Sequence, residues 1–396
     1  MARNKLKQPS SAYTPHNKIK LVRAGSEYFT LLISIINNAK HTLHLQVYIF
    51  DYDDTGKQVA DALLAAVKRN VQVFLLADAY ASHALPGHFV KQLTDGGINF
   101  RFFQPFFKSK YFYIGRRMHH KLIVADAAHC MIGGINIGDR YNDMPEQKAW
   151  LDFALYAEGD IAREVCLLAV QMWSGFFKKK GRTANCDAAQ IPFTLKQHSY
   201  SPVRLRRNDW VRSKSDITAT YREIFATSAT QITILCSYFM PGIVLKKSIL
   251  RAVRRGVRIR VIMAGASDIG LAKNAERFMY DWLLRNKVEI YEYQPNILHG
   301  KLAVCDNKWV TIGSYNLNNI SAYASVELNM DVNDAHFAVQ TEKILEEIIA
   351  NDCLAITKQQ LSHATNILKR LARWCSYNIV RLLFFLFTFY FKQRKW

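Results

Sequence analysis

Apolar positions along the chain fall into short alternating runs and longer runs with helical spacing, and the two kinds take turns. Residues 39–50, AKHTLHLQVYIF, alternate as a strand does after a helical stretch. Residues 61–76, DALLAAVKRNVQVFLL, pass from an amphipathic helix through an Arg-Asn stop into another strand. The same succession then returns. ATQITILCSYFM at 229–240 has the look of 39–50 at an offset of 190 residues, SILRAVRRGVRIRVIM at 248–263 parallels 61–76, and IYEYQP at 290–295 matches FRFFQP at 100–105. Short strands alternating with longer helices predict an α/β fold, here two homologous lobes, each with a mixed β-sheet flanked by helices. The basic, irregular stretch 178–208 reads as the join, which sets a first lobe at 1–190 and a second at 191–360.

The pattern changes at 361–396. Ile379 to Phe391 reads IVRLLFFLFTFYF and is followed by KQRKW. Its uncharged part, Leu382 to Phe391, is much shorter than the roughly 20 apolar residues of a spanning helix, so the segment is expected to lie in or dip into a membrane interface. The alternative is a buried terminal helix. The N-terminus is basic but has neither the apolar run nor the small-residue cleavage site of a signal peptide.

Composition narrows the partners. Half of the residues are hydrophobic, enough to bury real cores. Lys and Arg number 53 against 32 Asp and Glu, and the net charge of +21 attracts polyanions, whether nucleic acid or an anionic membrane surface. Seven cysteines, odd in number and without a CxxC pair, argue against a disulfide framework and against a zinc site, and suggest reduced thiols.

The repeat also carries chemistry. MHHKLIVAD at 118–126 and LHGKLAVCD at 298–306 both fit H-x-K-x4-D, with His119, Lys121 and Asp126 in the first copy and His299, Lys301 and Asp306 in the second. A glycine-containing turn follows each: Asn136 in GGIN and Asn316 in GSYN both stand seventeen residues after their histidine. Residues two apart in a strand share a face, so each histidine can meet a ligand together with its lysine. Asp126 and Asp306 then point to the back and read as supports, and His120 falls on the wrong face and reads as a bystander. Two lysines and two asparagines supply donors for the oxygens of one phosphate. Two histidines can divide the rest, one attacking phosphorus while the other moves protons. No metal or other cofactor is expected, because lysines repel a cation and the cluster lacks a set of acids. GGINIG lacks the order of a dinucleotide fingerprint.

These motifs resemble those of the phospholipase D superfamily, with a duplicated H-x-K-x4-D and one active site shared at the lobe interface. Within it, RRMHHKLIVAD, GGINIGDRY, LHGKLAVCD and GSYNLNNIS are most similar to bacterial cardiolipin synthases of the shorter B type, over roughly residues 18–355. The resemblance implies a phosphohistidine intermediate and ping-pong transfer, with His119 as nucleophile and His299 as acid and base. It also implies an acid downstream of each motif that orients the opposite lobe's histidine: Asp152 for His299 and Glu327 for His119. Two positions depart from the pattern. Leu151 stands where a basic residue is common, and Ser325 where an Asn is.

The substrate is read from outside the motifs. Between QP and the histidine the first lobe carries ten more residues than the second, giving FFKSKYFYIGRR at 106–117. Interleaved rings and cations suit an anionic lipid interface, could stack bases instead, or could cover their own lobe. The apolar tail tips the balance to lipid. The expected substrate is phosphatidylglycerol and the expected product cardiolipin, with phospholipase D hydrolysis second, a nuclease third and an inactive membrane scaffold disfavoured by two complete motifs. The expected partner is an anionic phospholipid membrane, not nucleic acid, and the expected place is the cytosolic side of a bacterial inner membrane. Oligomeric state leaves no trace in the sequence.

Overall fold

The computed structural model describes residues 12–104, 116–175, 200–267, 269–323, 325–363 and 367–392, with side chains at 362, 363, 367 and 384–392 excepted, as are those at 319 and 320. Most of the aromatic and cationic loop and of the predicted join lies outside that set. The first lobe runs β1 (Asn17–Arg23), α1 (Ser26–Asn38), β2 (Thr42–Val47), α2 (Asp54–Lys68), β3 (Gln72–Asp78), α3 (Gly87–Asp95), β4 (Asn99–Phe103), β5 (Arg117–Met118), β6 (Lys121–Ala125), β7 (His129–Gly133), β8 (Phe153–Gly159) and α4 (Asp160–Ser174). The second runs β9 (Val203–Asp209), β10 (Lys214–Ser215), α5 (Asp216–Thr227), β11 (Gln231–Cys236), α6 (Ile243–Arg254), β12 (Arg258–Ala264), α7 (Gly270–Phe278), α8 (Tyr280–Arg285), β13 (Val288–Tyr293), β14 (Lys301–Cys305), β15 (Trp309–Gly313), α9 (Asn319–Tyr323), β16 (Ser325–Val332), α10 (Ala335–Asp352), β17 (Cys353–Ile356), α11 (Lys358–His363) and α12 (Ile367–Lys392).

Both sheets are mixed, as the alternation predicts. The first has the order β1-β8-β7-β6-β2-β3-β4, and the second repeats that core as β9-β16-β15-β14-β11-β12-β13 and adds β10 and β17 at its edges. In each, the strands that follow helices pair in parallel, β2 with β3 and β11 with β12, while the motif strand runs antiparallel to the first of them. Helix starts are set by local chemistry: Asp53 accepts from the N–H of Gly56 at the head of α2, and Asp334 from that of Phe337 at the head of α10.

One apolar core joins the lobes. Val124, Leu155 and Leu168 of the first lobe and Leu302, Val310 and Val326 of the second belong to a single buried cluster. A buried polar bridge runs beside it. Arg116 donates to Asp209 at 3.2 and 2.9 Å, and Arg207 donates both to Asp209 and, at 2.9 Å, to Gln171 of α4.

Three readings need correction. Part of the predicted join, Val203–Asp209, is a regular strand; its cations hid the alternation, yet they are paired within the fold, Arg204 with Asp331 at 2.8 Å and Arg206 with Thr220 at 2.9 Å. Cys166 is disulfide-bonded, so wholly reduced thiols do not describe the chain, although Cys130, Cys236, Cys305, Cys353 and Cys375 are free. The histidines themselves precede their strands, which begin at Lys121 and Lys301. The terminal segment forms a helix of 26 residues packed along α7, and no helix among the described residues is long and apolar enough to cross a membrane.

Candidate active site

Each histidine is placed by the opposite lobe. The carbonyl of Val326 in β16 accepts the N–H groups of His119 and His120, at 3.0 and 3.1 Å, where β5 pairs with β16. The carbonyl of Leu151 likewise accepts from His299 and Gly300, at 2.8 and 2.9 Å. Position 151 thus contributes its backbone, which any side chain provides.

The side chains repeat the exchange. His119 Nδ1 lies 2.9 Å from Glu327 Oε2, and His299 Nδ1 lies 2.6 Å from Asp152 Oδ2. Both carboxylates are fully buried, which by itself would raise their pKa. The cations and histidines around them outweigh burial and hold both below the ordinary carboxylate range. An ionised carboxylate can only accept, so Nδ1 of each ring donates and Nε2 carries the lone pair. Ser325, the departure from the family pattern, donates to Glu327 Oε1 at 2.7 Å, and Ser314 donates to Oε2 at 2.5 Å. Position 134 in the first lobe corresponds to Ser314 and is glycine, because a Cβ there would come within 2.5 Å of the Asp152 carboxylate.

The lysines are buried. Lys121 Nζ donates to the carbonyl of His119 at 2.5 Å, and Lys301 Nζ to that of His299. Burial, and then the charge of Lys301, lower Lys121 to about 7. Burial also lowers both histidines: His119 with both lysines adding to the effect and Glu327 opposing it, and His299 to about 4 with Lys301 as the next cause. Each lysine therefore acts on the other lobe's histidine, and the two motifs form one electrostatic centre. Two buried lysines beside two neutral imidazoles can supply donors to the oxygens of a phosphodiester.

The asparagines differ. Asn136 accepts from Ile49 N–H at 3.0 Å and donates to Tyr141 Oη at 2.8 Å, so most of its amide braces the first lobe. Asn316 accepts from Ser237 Oγ at 2.7 Å, which leaves its Nδ2 for another acceptor. The aspartates of the motifs tie turns. Asp126 accepts the N–H groups of Lys40, His41 and Thr42, and Asp306 those of Ala229, Thr230 and Gln231, all at 2.8 to 2.9 Å. His120 is buried, lowered to about 3 by burial, and paired through Nε2 with Gln46 at 2.9 Å.

Aromatic rings complete the walls. Tyr48 meets His119 edge-on at 4.9 Å, and Tyr141 and Trp150 stand 5.4 and 6.2 Å from His299. Sequence reasoning passed over them, although a tyrosine does recur at 48 and 238 in the two strand repeats. Among the described residues no three His, Cys, Asp or Glu side chains converge to hold a metal ion.

Two fused α/β lobes that exchange histidine and carboxylate across one cationic centre define a phospholipase D-like enzyme. The family model described as "Cardiolipin synthase, PLD-like domain" matches residues 32–149 and again 221–349. Cardiolipin synthase B of Escherichia coli strain K12 is 31% identical over 353 residues, covering 88% of this chain and 84% of that protein. Cardiolipin synthase B of Salmonella typhimurium is 28% identical over 363 residues, with the same coverage of each chain. Among solved structures, phosphatidylserine synthase of Haemophilus influenzae superposes with a TM-score of 0.69 over 94% of this chain and 97% of its own, at 15% identity, a likeness of fold. The chain belongs to the phospholipase D-like cardiolipin synthase family.

Proposed function

We propose that the chain transfers a phosphatidyl group from one phosphatidylglycerol to another, releasing glycerol and forming cardiolipin. The observation that carries this reading is the crossed pairing of His119 with Glu327 and His299 with Asp152 around two buried lysines. Nε2 of His119 attacks the phosphorus of the donor lipid, and the bond from phosphorus to the glycerol oxygen breaks as His299, which takes up a proton on Nε2 when the anionic phosphodiester enters beside it, gives that proton to the oxygen. The terminal hydroxyl of a second phosphatidylglycerol then gives its proton to His299 and attacks, breaking the bond from phosphorus to nitrogen. Lys121, Lys301 and Asn316 Nδ2 hold the phosphate oxygens, and each carboxylate stabilises an imidazolium as it forms. Asp126 and Asp306 hold the turns, and Asn136 braces the wall.

His119 is the attacking ring that the family resemblance implies. One observation favours the reverse: burial lowers His299 to about 4, which keeps that ring neutral, as an attacking ring must be. The enzyme is proposed to work on phospholipids at the cytosolic face of a bacterial inner membrane, with the terminal segment held in the interface.

The test is incubation of the purified chain with phosphatidylglycerol vesicles in chelator, beside His119→Ala and His299→Ala, with lipids and tryptic peptides read by mass spectrometry. Cardiolipin and glycerol are expected from the wild type alone. A phosphatidyl adduct on the 119 peptide of His299→Ala supports His119 as nucleophile, and an adduct on the 299 peptide of His119→Ala reverses it. Phosphatidic acid without cardiolipin would make the chain a hydrolase.

A further inference from the structure

We infer that the enzyme docks asymmetrically, with the second lobe's active-site rim and the outward face of α12 forming one apolar platform that seats in an anionic bilayer. It rests on the lipid reading above. The first observation is where exposed apolar side chains collect. At the head of α6 stand Ile243 and Val244, and at the head of α7 stand Ile269 and Leu271, all exposed. These positions follow the C-terminal ends of β11 and β12, the end at which Cys236 pairs with Lys301. The loop between β11 and α6 reaches the site directly: Ser237 donates to Asn316, and Met240 N–H donates to the carbonyl of Leu317 at 3.0 Å.

The second observation is how α12 meets that rim. Tyr377 packs on Phe278 at 4.8 Å, and Val380 clusters with Ala275 and Met240, so α12 runs antiparallel to α7. Continued by one turn, this register carries Leu383 towards Leu271. The tail helix therefore brings its apolar end to the rim rather than away from it. The face turned from α7 is also apolar: Leu368, Leu371, Ile379 and Leu382 are exposed, and at 3.6 residues per turn they fall within an arc of roughly 80°. Exposed Lys369 and Arg381 stand about 80° round the helix on either side of that arc, Arg370 lies nearly opposite it, and exposed Lys247 stands one turn from Val244. An apolar face bordered by cations suits acyl chains below and anionic headgroups around it.

The third observation is the break in the repeat. At the offset of 190 residues, Pro241, Gly242, Ile243 and Val244 correspond to Asp51, Tyr52, Asp53 and Asp54. Asp51 pairs with Arg140 and Asp53 caps α2, so the first lobe offers the exposed carboxylate of Asp54 where the second offers exposed aliphatic side chains. Carboxylates oppose entry into an anionic interface, so the molecule tilts onto its second lobe and lipids enter from that side.

The test is co-sedimentation of the full chain with vesicles of phosphatidylglycerol and phosphatidylcholine, measured also in the inactive His119→Ala background. Ile243→Asp with Ile269→Asp, and Leu382→Asp with Leu383→Asp, are each expected to weaken vesicle binding by about tenfold or more. Tyr52→Asp in the first lobe is expected to change it by less than about twofold. Turnover of a monomeric short-chain phosphatidylglycerol should stay near wild type in all of them, which shows that the variants fold. Vesicle binding like wild type in both double variants would overturn the inference. So would a wild-type dimer that these substitutions dissolve, since a second copy would then be the occupant. If the wild type turns over neither lipid form, the reaction reading fails while sedimentation of His119→Ala still decides the docking.

Discussion

At the scale of the residue, the site is a set of buried groups whose protonation is set by burial and by the charges around them. Glu327 is held by His119, Ser314 and Ser325, and its exchange for Gln keeps the volume but removes the charge that sets the His119 tautomer. Glu327→Gln is expected to lower kcat by roughly a thousandfold with little change in Tm, read by lipid turnover and thermal unfolding of the same preparation. The pH profile follows from the same burial. The attacking ring must be neutral, and burial lowers His119 from the ordinary 6.5, so the acid limb of kcat/KM should lie below the ordinary histidine range. Lys121, lowered to about 7, loses its charge as the pH rises, so kcat/KM should decline on the alkaline side from about pH 7. The limb of kcat should lie higher, because a bound phosphodiester restores the ammonium form. Profiles at low and saturating lipid would check this, and coincident limbs would count against it. The eight motif residues stood out in the sequence because a duplicated spacing is improbable and two histidines with two lysines have few chemical uses, whereas Asp152 and Glu327 came only from the family resemblance. Ser314, Tyr48 and Trp150 were not, because their roles depend on which lobe they face.

At the scale of the element, the alternation of strand and helix was legible because it is a local property, and β9 escaped because its cations are neutralised by residues of α5 and β16 far along the chain. The motif aspartates show local and distant order meeting. Asp126 and Ala127, like Asp306 and Asn307, adopt positive φ in the turns that close β6 on β7 and β14 on β15. From there Asp126 accepts three backbone N–H groups of the chain entering β2. Asp126→Ala would leave those donors without their acceptor beside the core, and a loss of about 3 kcal/mol is expected in denaturant unfolding. Asp306→Ala should cost less, because Asp306 is half-buried and water can replace it, whereas Asp126 is only 4% exposed. Equal losses would mean that the two turns are not distinguished by burial. The tail was legible as apolar and too short to span, but not its docking, which depends on Phe278, Ala275 and Met240.

At the scale of the whole molecule, neither lobe contains a working histidine. Each ring is hung from one lobe's motif, held through its backbone by a strand or segment of the other, and paired with the other's carboxylate. The pattern of dependence should therefore cross the lobes. Asp152→Asn, in the first lobe, is expected to disable His299 of the second, and Glu327→Gln to disable His119 of the first. Groups that act as one unit are non-additive, so Asp152→Asn combined with His299→Ala should be no slower than His299→Ala alone. Asp152→Asn combined with His119→Ala tests the opposite combination, in which each lobe's own motif is paired with its own acid. There the residual rate should fall below that of either single variant, because each ring has lost a separate support. Single-turnover lipid assays on the four single and two double variants would decide. Coupling between Asp152 and His119 in place of Asp152 and His299 would show that the lobes work in parallel rather than through one another.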